Sequence, residues 1–277
     1  MKHTLMVTLL LVVLFFAAHV IGLAIVDGYL MKEEVVVDGV TVTNITWGAL
    51  PYGVERPDVD EKTSYLPVFA MILIATGVLF LVMKLRFFRV WNFWFFISVW
   101  LCLTIALRIL FGETVALIAA GVLALAKVWW RQPVLHNFTE LFLYGGLAAV
   151  FVPFLNLWSV SILLLLVSAY DAIAVWGTKH MVALAQFQSH TNLFAGFLIP
   201  YGKDKRAVLG GGDIGFTLFF SGVILKTMGW TSSLMVSGVI TLALLLLLVQ
   251  ARKNTYYPAM PFLTAGCFVG LLLVHVI

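Results

Sequence analysis

Two aspartates lie inside long apolar segments, and their type and surroundings make them the strongest candidates for chemistry in this chain. Asp171 follows Tyr170 within one apolar segment, and Asp213 opens the next one directly after Gly210–Gly212. Acids placed so deep in apolar sequence face the interior of a helix bundle or a water-filled cavity. Two carboxyl groups held close together share one proton. One can then activate a water as general base while the other polarises a substrate carbonyl, with no metal or other cofactor.

The glycines before Asp213 indicate how a peptide bond gains access to such carboxylates. Each glycine lowers helix propensity by about 1 kcal/mol relative to alanine and allows another backbone to approach closely. A small-residue face for helix packing is the alternative interpretation. Because these glycines adjoin an intramembrane acid, the pattern favours a functional site. A second glycine pair, Gly266 and Gly270, forms a GxxxG face that predicts packing within the chain.

The composition is that of a protein embedded in a lipid bilayer. Hydrophobic residues make up 62% of the chain and charged residues 11%, against roughly 45–50% and about 25% in soluble domains. The net charge of +4 is spread over short loops, which argues against a nucleic-acid partner. No His-Glu-x-x-His pattern is present, so the sequence predicts no metal site.

Hydropathy predicts an all-α polytopic membrane protein with nine transmembrane helices. Most of the 17 basic residues fall in loops that share one side if the N-terminus is cytoplasmic and the C-terminus external. The predicted spans are 4–26, 66–83, 90–110, 113–129, 138–156, 158–178, 207–227, 232–250 and 259–277.

The predicted organisation is a single membrane domain, 1–277. Residues 1–156 supply scaffold helices and an external loop, 27–65, in which Asp38-Gly39 between β-branched residues predicts a hairpin. Residues 157–277 carry both aspartates and a cytoplasmic loop, 179–206. Within that loop the apolar stretch 193–199 is too short to span a bilayer, so it is an interfacial strand or a re-entrant segment.

This topology places the two aspartates at one depth. Asp171 lies about 10 Å above the cytoplasmic end of the sixth span, at 1.5 Å per residue. Asp213 lies about 9 Å from the start of the seventh span on that same side. The two carboxylates of this antiparallel pair are therefore expected at one level in the membrane.

Three short motifs resemble those of a known family. Gly210-Gly211-Gly212-Asp213 is similar to the GxGD motif, and Tyr170-Asp171 to the YD motif, of the presenilin and signal peptide peptidase family of intramembrane aspartyl proteases. Pro258-Ala259-Met260 resembles the family's Pro-Ala-Leu motif, with methionine in place of leucine. The chain resembles prokaryote-type presenilin homologues, and its predicted external C-terminus is more like presenilin than like signal peptide peptidase.

The resemblance implies an endopeptidase that cuts transmembrane helices of other proteins within the lipid bilayer, without cofactor and without accessory subunits. It implies that Asp171 and Asp213 are the catalytic pair. It further implies a substrate strand that pairs with residues 205–209 and 255–257. The residues implied to bind substrate or shape the site are Tyr170, Leu209, Gly210, Gly211, Gly212, Pro258, Ala259 and Met260.

Two other interpretations remain open on the sequence alone. Paired intramembrane acids also relay protons in transporters and channels, although no inverted repeat is visible here. A catalytically silent scaffold that binds transmembrane helices is the third possibility. Formation of a cleaved product distinguishes the peptidase from both.

Overall fold

The computed structural model is mostly helical. It describes residues 4–37, 40–85, 87–130, 132–177, 194–202, 205–251 and 257–276. The α-helices are α1 (Leu5–Tyr29), α2 (Tyr65–Leu85), α3 (Phe88–Phe111), α4 (Glu113–Trp130), α5 (Pro133–Phe151), α6 (Leu157–Ala172), α7 (Gly211–Gln250) and α8 (Met260–Val276).

Seven of these helices are long and apolar enough to cross a membrane, and α8 is a shorter apolar helix. The prediction of nine helices is not confirmed, because the described part of the chain contains eight. The predicted spans 207–227 and 232–250 both fall within α7. A multi-pass, mostly helical membrane protein is the description that these helices support.

Helix α7 reverses direction near its middle. Gly229 has φ 85° and ψ −175°, a conformation that only glycine adopts readily. The Ser233 hydroxyl donates to the Ser221 carbonyl oxygen at 2.7 Å, whereas twelve residues of straight helix would separate these positions by about 18 Å. Residues 211–228, the first arm, and residues 230–250, the second arm, therefore lie side by side.

The second arm packs closely on α8 through the predicted GxxxG face. A methyl group at Gly266 would lie 2.8 Å from the Ala243 Cβ, and one at Gly270 would lie 3.1 Å from the Val236 Cα. The expectation that these glycines pack within the chain is confirmed. Since α8 also contacts α6, this packing connects the helices that carry the two aspartates.

The first arm packs in the main core against α1 and α5. His19 of α1 is fully buried and contacts the Thr217 hydroxyl at 3.1 Å. Leu218 fills the space above Gly22, where a methyl group would lie 2.4 Å from one of its methyl carbons. The same core continues through apolar residues of α6 and α8. It therefore joins the predicted scaffold and catalytic parts of the chain.

Two antiparallel hairpins complete the described structure. Strand β1 (Leu30–Val37) pairs with β2 (Val40–Trp47), which confirms the predicted hairpin, although Asp38 and Gly39 themselves lie outside the described residues. Strand β3 (Gly196–Tyr201) pairs with β4 (Lys205–Gly210), so the strand alternative for 193–199 is confirmed from Gly196 onward. Strand β4 leads directly into α7, so the hairpin determines where that helix begins.

Candidate active site

Asp171 lies in the last turn of α6, where the regular helix ends. Residues Ile173–Gly177 continue as a π-helical turn, a feature often found at functional sites. The carboxylate Oδ2 of Asp171 accepts a hydrogen bond from the Met260 backbone N–H at 3.1 Å. One turn away, the hydroxyls of Ser168 and Thr264 are 2.7 Å apart. The start of α8 therefore fixes the position of this carboxylate.

The proline motif forms the entry into α8. Pro258 and Met260 are buried and Ala259 is half-buried. The Ala259 carbonyl accepts from the N–H groups of Phe262 and Leu263, both at 3.1 Å, and closes the first turn. This leaves the Met260 N–H, one of the unpaired donors at a helix N-terminus, directed at Asp171.

Asp213 lies in the first turn of α7, directly after the β3–β4 hairpin. Its backbone carbonyl accepts from the Thr217 hydroxyl at 2.6 Å, and that hydroxyl also contacts the buried His19. The three helices α6, α7 and α8 pack against one another. The structure thus brings together three elements that are distant in sequence and that carry Asp171, Asp213 and Met260.

The three glycines before Asp213 have different surroundings. A methyl group at Gly211 would lie 2.6 Å from Tyr144 Oη and 3.1 Å from the Ala195 carbonyl oxygen. A methyl group at Gly210 would lie 3.2 Å from Asp213 Oδ2. Gly212 is exposed, and a methyl group there would meet only the Phe216 ring, at 3.7 Å. Close packing therefore requires glycine most strictly at Gly211.

The remaining predicted site residues lie around this centre. Tyr170 is half-buried next to Asp171 on α6. Leu209 is buried in β4 opposite Phe197 of β3. Of the segment predicted to pair with substrate near the proline motif, residues 255 and 256 lie outside the described residues, and Tyr257 is half-buried.

Comparison with known proteins agrees with the motifs. The family model described as signal-peptide peptidase, presenilin aspartyl protease matches residues 55–206, more than half of the chain. The chain belongs to this family. The matched range includes Tyr170 and Asp171 and ends just before the glycines. The chain is therefore an aspartic endopeptidase by family, and the predicted recognition is confirmed.

Solved structures of a presenilin family intramembrane aspartate protease share the fold. The structure in space group C222 superimposes with a TM-score of 0.67 at 19% identity, covering 97% of this chain and 98% of that chain. The structure in space group P2 gives a TM-score of 0.66 at 18% identity, with 96% of each chain covered. No curated protein sequence matches the chain.

A buried polar network beside the site of this presenilin-family chain was missed by the sequence interpretation. Lys127 of α4 and Glu140 of α5 form an ion pair whose side chains are 1% and 0% exposed. The other carboxylate oxygen of Glu140 accepts from the Tyr144 hydroxyl and, at 2.9 Å, from the Gly196 backbone N–H of β3. The network therefore connects α4 and α5 to the hairpin that precedes Asp213.

The sequence did contain a signal for this pair. Lys127 lies at the end of one predicted span and Glu140 at the start of the next, so opposite charges occupy adjoining ends of consecutive helices. The count of basic loop residues treated Lys127 as exposed, whereas the structure buries it. Among the described residues, no group of three or more His, Cys, Asp or Glu side chains is arranged to hold a metal ion.

Proposed function

We propose that Asp171 and Asp213 are the catalytic pair with which this chain hydrolyses peptide bonds inside transmembrane segments of other membrane proteins. The observation that carries the proposal is the packing of α6, α7 and α8 against one another, with Asp171 bonded to the Met260 N–H at the start of α8 and Asp213 in the first turn of α7. Membership of an aspartyl protease family supports it independently.

The chemistry follows from two carboxyl groups that hold one proton between them. The ionised carboxylate removes a proton from water as the water oxygen attacks the scissile carbonyl carbon, and the protonated carboxyl donates its proton to the carbonyl oxygen. When the tetrahedral intermediate collapses, the C–N bond breaks and the leaving nitrogen takes a proton from the pair. The products are a new carboxyl group and a new amine, and no cofactor takes part.

Strand β4 is the proposed docking edge for an unwound substrate. In β3, the N–H and C=O of Leu198 both bond to Asn137, which is on the side away from β4. Its partner in the register, Val208, must then direct its own N–H and C=O away from β3. Val208 lies two residues before Gly210, and its side chain is 45% exposed, so this is the edge to which we expect a substrate strand to add.

The remaining parts of the proposal concern topology and assembly. The distribution of basic residues supports a cytoplasmic N-terminus and an external C-terminus. The absence of a large insertion between the aspartates in this sequence supports activity as a single chain. The division into scaffold helices, 1–156, and catalytic helices, 157–277, within one membrane domain also stays a prediction.

Cleavage of a single-span test peptide by the purified protein in detergent tests the proposal. The wild type should yield two fragments whose new termini map inside the transmembrane segment. Asp171→Ala and Asp213→Ala should each abolish both fragments while the protein remains folded. Cleavage that survives either substitution would disprove the assignment. Proton flux in vesicles without any cleavage would instead support the transporter interpretation.

A further inference from the structure

The polar face of α5 is matched to the outer edge of strand β3. Gly196 donates its N–H to Glu140 and accepts at its carbonyl oxygen from His136 Nε2 at 2.8 Å. Leu198 donates its N–H to Asn137 Oδ1 at 2.9 Å and accepts from Asn137 Nδ2 at 2.8 Å. Pro200, next on that edge, has no N–H. Side chains of a helix thus take the place that a neighbouring strand would occupy.

The same face reaches the start of the helix that carries Asp213. Tyr144, one turn after Glu140, directs its hydroxyl at Glu140 and packs against Gly211 so tightly that no side chain fits there. The Gly211 N–H donates to the Ala195 carbonyl at 3.0 Å, adjacent to the Gly196 held by Glu140. Glu140 therefore contacts the β3 side of the Gly196–Gly210 pair directly and reaches Gly211, next to the β4 side, through Tyr144.

Lys127 provides the counter-charge for Glu140 in an interior where a lone carboxylate is costly. Its Nζ also donates to the Thr139 hydroxyl at 3.0 Å, so the lysine is itself satisfied. Ionisable residues within membrane helices are rare and usually serve a function. An apolar pair in these positions would pack equally well, but it would leave the Gly196 N–H without an acceptor.

We infer that five side chains are positioning residues for proteolysis: they close the β3 edge and fix the hairpin and Asp213 relative to the substrate strand. We call them the α5 clamp, and they are His136, Asn137, Glu140 and Tyr144 of α5 together with Lys127 of α4. With β3 occupied, a substrate strand adds only to β4, in the register that the clamp sets. The inference rests on the proposed function, since it concerns where the substrate lies against the aspartates. None of the five residues touches the reacting atoms.

Asn137→Leu tests the clamp with little change in side-chain size. It removes both bonds to Leu198. Hydrogen exchange at the Leu198 amide should therefore accelerate at least about tenfold, because the loss of about 1.4 kcal/mol from one hydrogen bond changes the exchange rate by a factor of ten. Displacement of the substrate strand by about 1 Å should lower kcat by about 100-fold. KM should change much less, and the cut should spread over neighbouring bonds of the test peptide.

A second variant and a control accompany Asn137→Leu. Glu140→Gln keeps an oxygen for the Gly196 N–H but removes the charge opposite Lys127, and should also scatter the cut position. Val134→Ala lies on the same helix, 81% exposed, and should keep the wild-type exchange rate, kcat and cut position. Fragments are identified by mass spectrometry of the digest.

The outcomes separate this inference from the proposed function. Unchanged exchange at Leu198, or a single wild-type cut with unaltered kcat in Asn137→Leu, would overturn the α5 clamp. If the wild type cut nothing, the proposed function would fail, whereas accelerated exchange in Asn137→Leu would still support the anchoring of the hairpin. If Asn137→Leu did not fold, Tyr144→Phe, which removes only the hydroxyl that contacts Glu140, would carry the test of cut position, and an unaltered cut position there would overturn the α5 clamp.

Discussion

The two carboxylates are held by different kinds of structure. Asp171 lies on a continuous apolar helix and is tied to its neighbour by one backbone N–H and, a turn away, by the Ser168–Thr264 contact. Asp213 follows a two-stranded hairpin whose outer edge is bonded to the polar face of α5. The Asp213 side therefore buries the charged pair Lys127–Glu140 in addition to the aspartate. Among the residues that the structure describes, the hydrogen bonds on the Asp171 side are those of Met260 and of the Ser168–Thr264 pair.

The difference follows from where each backbone finds its hydrogen bonds. A helix satisfies its own N–H and C=O groups, so α6 and α8 need only shape complementarity to hold Asp171. A strand edge inside a membrane protein needs partners from elsewhere. An accessible strand next to the aspartates, which suits an unwound substrate, thus requires polar and charged residues behind it. The buried Lys127–Glu140 pair is the cost of placing a strand there.

The largest effect is expected when that ion pair is broken. Lys127→Met leaves the Glu140 carboxylate buried without its counter-charge, which should lower the free energy of unfolding by about 3–5 kcal/mol. Glu140→Leu should cost a similar amount, because it leaves Lys127 buried without its counter-charge. The double substitution should cost less than the sum of the two, since neither charge is then left alone. Unfolding in mixed micelles at increasing SDS measures all three.

The exposed Arg108–Glu113 pair is the matched control for this cycle. Its N–O distance is 3.2 Å, but the Glu113 side chain is 46% exposed. Glu113→Gln should therefore cost no more than about 1 kcal/mol. Strictly additive costs at Lys127 and Glu140 would show that the two charges do not depend on each other, and the contrast between the two aspartate sides would lose its basis.

The next effect concerns the glycine that touches the α5 clamp. Gly211→Ala would place a methyl group 2.6 Å from Tyr144 Oη and 3.1 Å from a backbone oxygen, so the start of α7 must shift. A displacement of about 1 Å at Asp213 should lower kcat/KM by about 100-fold. Fragment yield from the test peptide over time measures the loss.

Two further variants show whether the clash is the cause. Tyr144→Phe removes the hydroxyl, so Gly211→Ala combined with Tyr144→Phe should be less impaired than the product of the two single effects. Gly212→Ala meets only an ordinary contact with Phe216 and should leave the unfolding free energy within about 0.5 kcal/mol of the wild type. A stability loss at Gly212 equal to that at Gly211 would contradict the assigned packing.

The reversal at Gly229 connects the first arm of α7, which carries Asp213, to the second arm, which packs on α8. A single methyl group added at Gly229 should lower the stability of the protein. Gly229 has a backbone conformation essentially restricted to glycine, with open space around it. Gly229→Ala should therefore cost about 1–3 kcal/mol from backbone strain alone. Gly238→Ala, in the helical second arm and also without close neighbours, should instead stabilise by up to about 1 kcal/mol. Thermal unfolding of the pair measures the difference; equal shifts would mean that Gly229 is not strained.

Much of the Asp171 side was predictable from the sequence, because apolar length and short motifs carry the information there. The helices and the internal packing of Gly266 and Gly270 follow from local patterns, and the role of Met260 near the aspartates from the resemblance of the short motifs. The helix count was not confirmed, because the predicted spans 207–227 and 232–250 are the two arms of one helix, α7, which reverses at Gly229 without ending.

The support of Asp213 was not predictable in the same way. Strand β3 was expected only as one of two alternatives, and its partners on α5 lie about 60 residues away in sequence. Hydropathy and loop charge treat each lysine or glutamate separately, so Lys127, at the end of a predicted span, was counted with the basic residues of the cytoplasmic side, and Glu140 was not considered. Recognising them as a pair requires knowing that α4 and α5 pack side by side, which is tertiary information.

The smallest effect is expected on the Asp171 side, where a polar contact is removed from helices that pack well without it. Ser168→Ala deletes the 2.7 Å contact with Thr264, and such bonds between membrane helices average only about 0.6 kcal/mol. Because the Met260 N–H still holds Asp171, cleavage should fall by no more than about threefold. Thr264→Val should behave alike, and the double variant should add little, since either change breaks the same contact. A loss above about 2 kcal/mol in SDS unfolding would mean that both aspartates depend on polar support, and the contrast between the two sides would not hold.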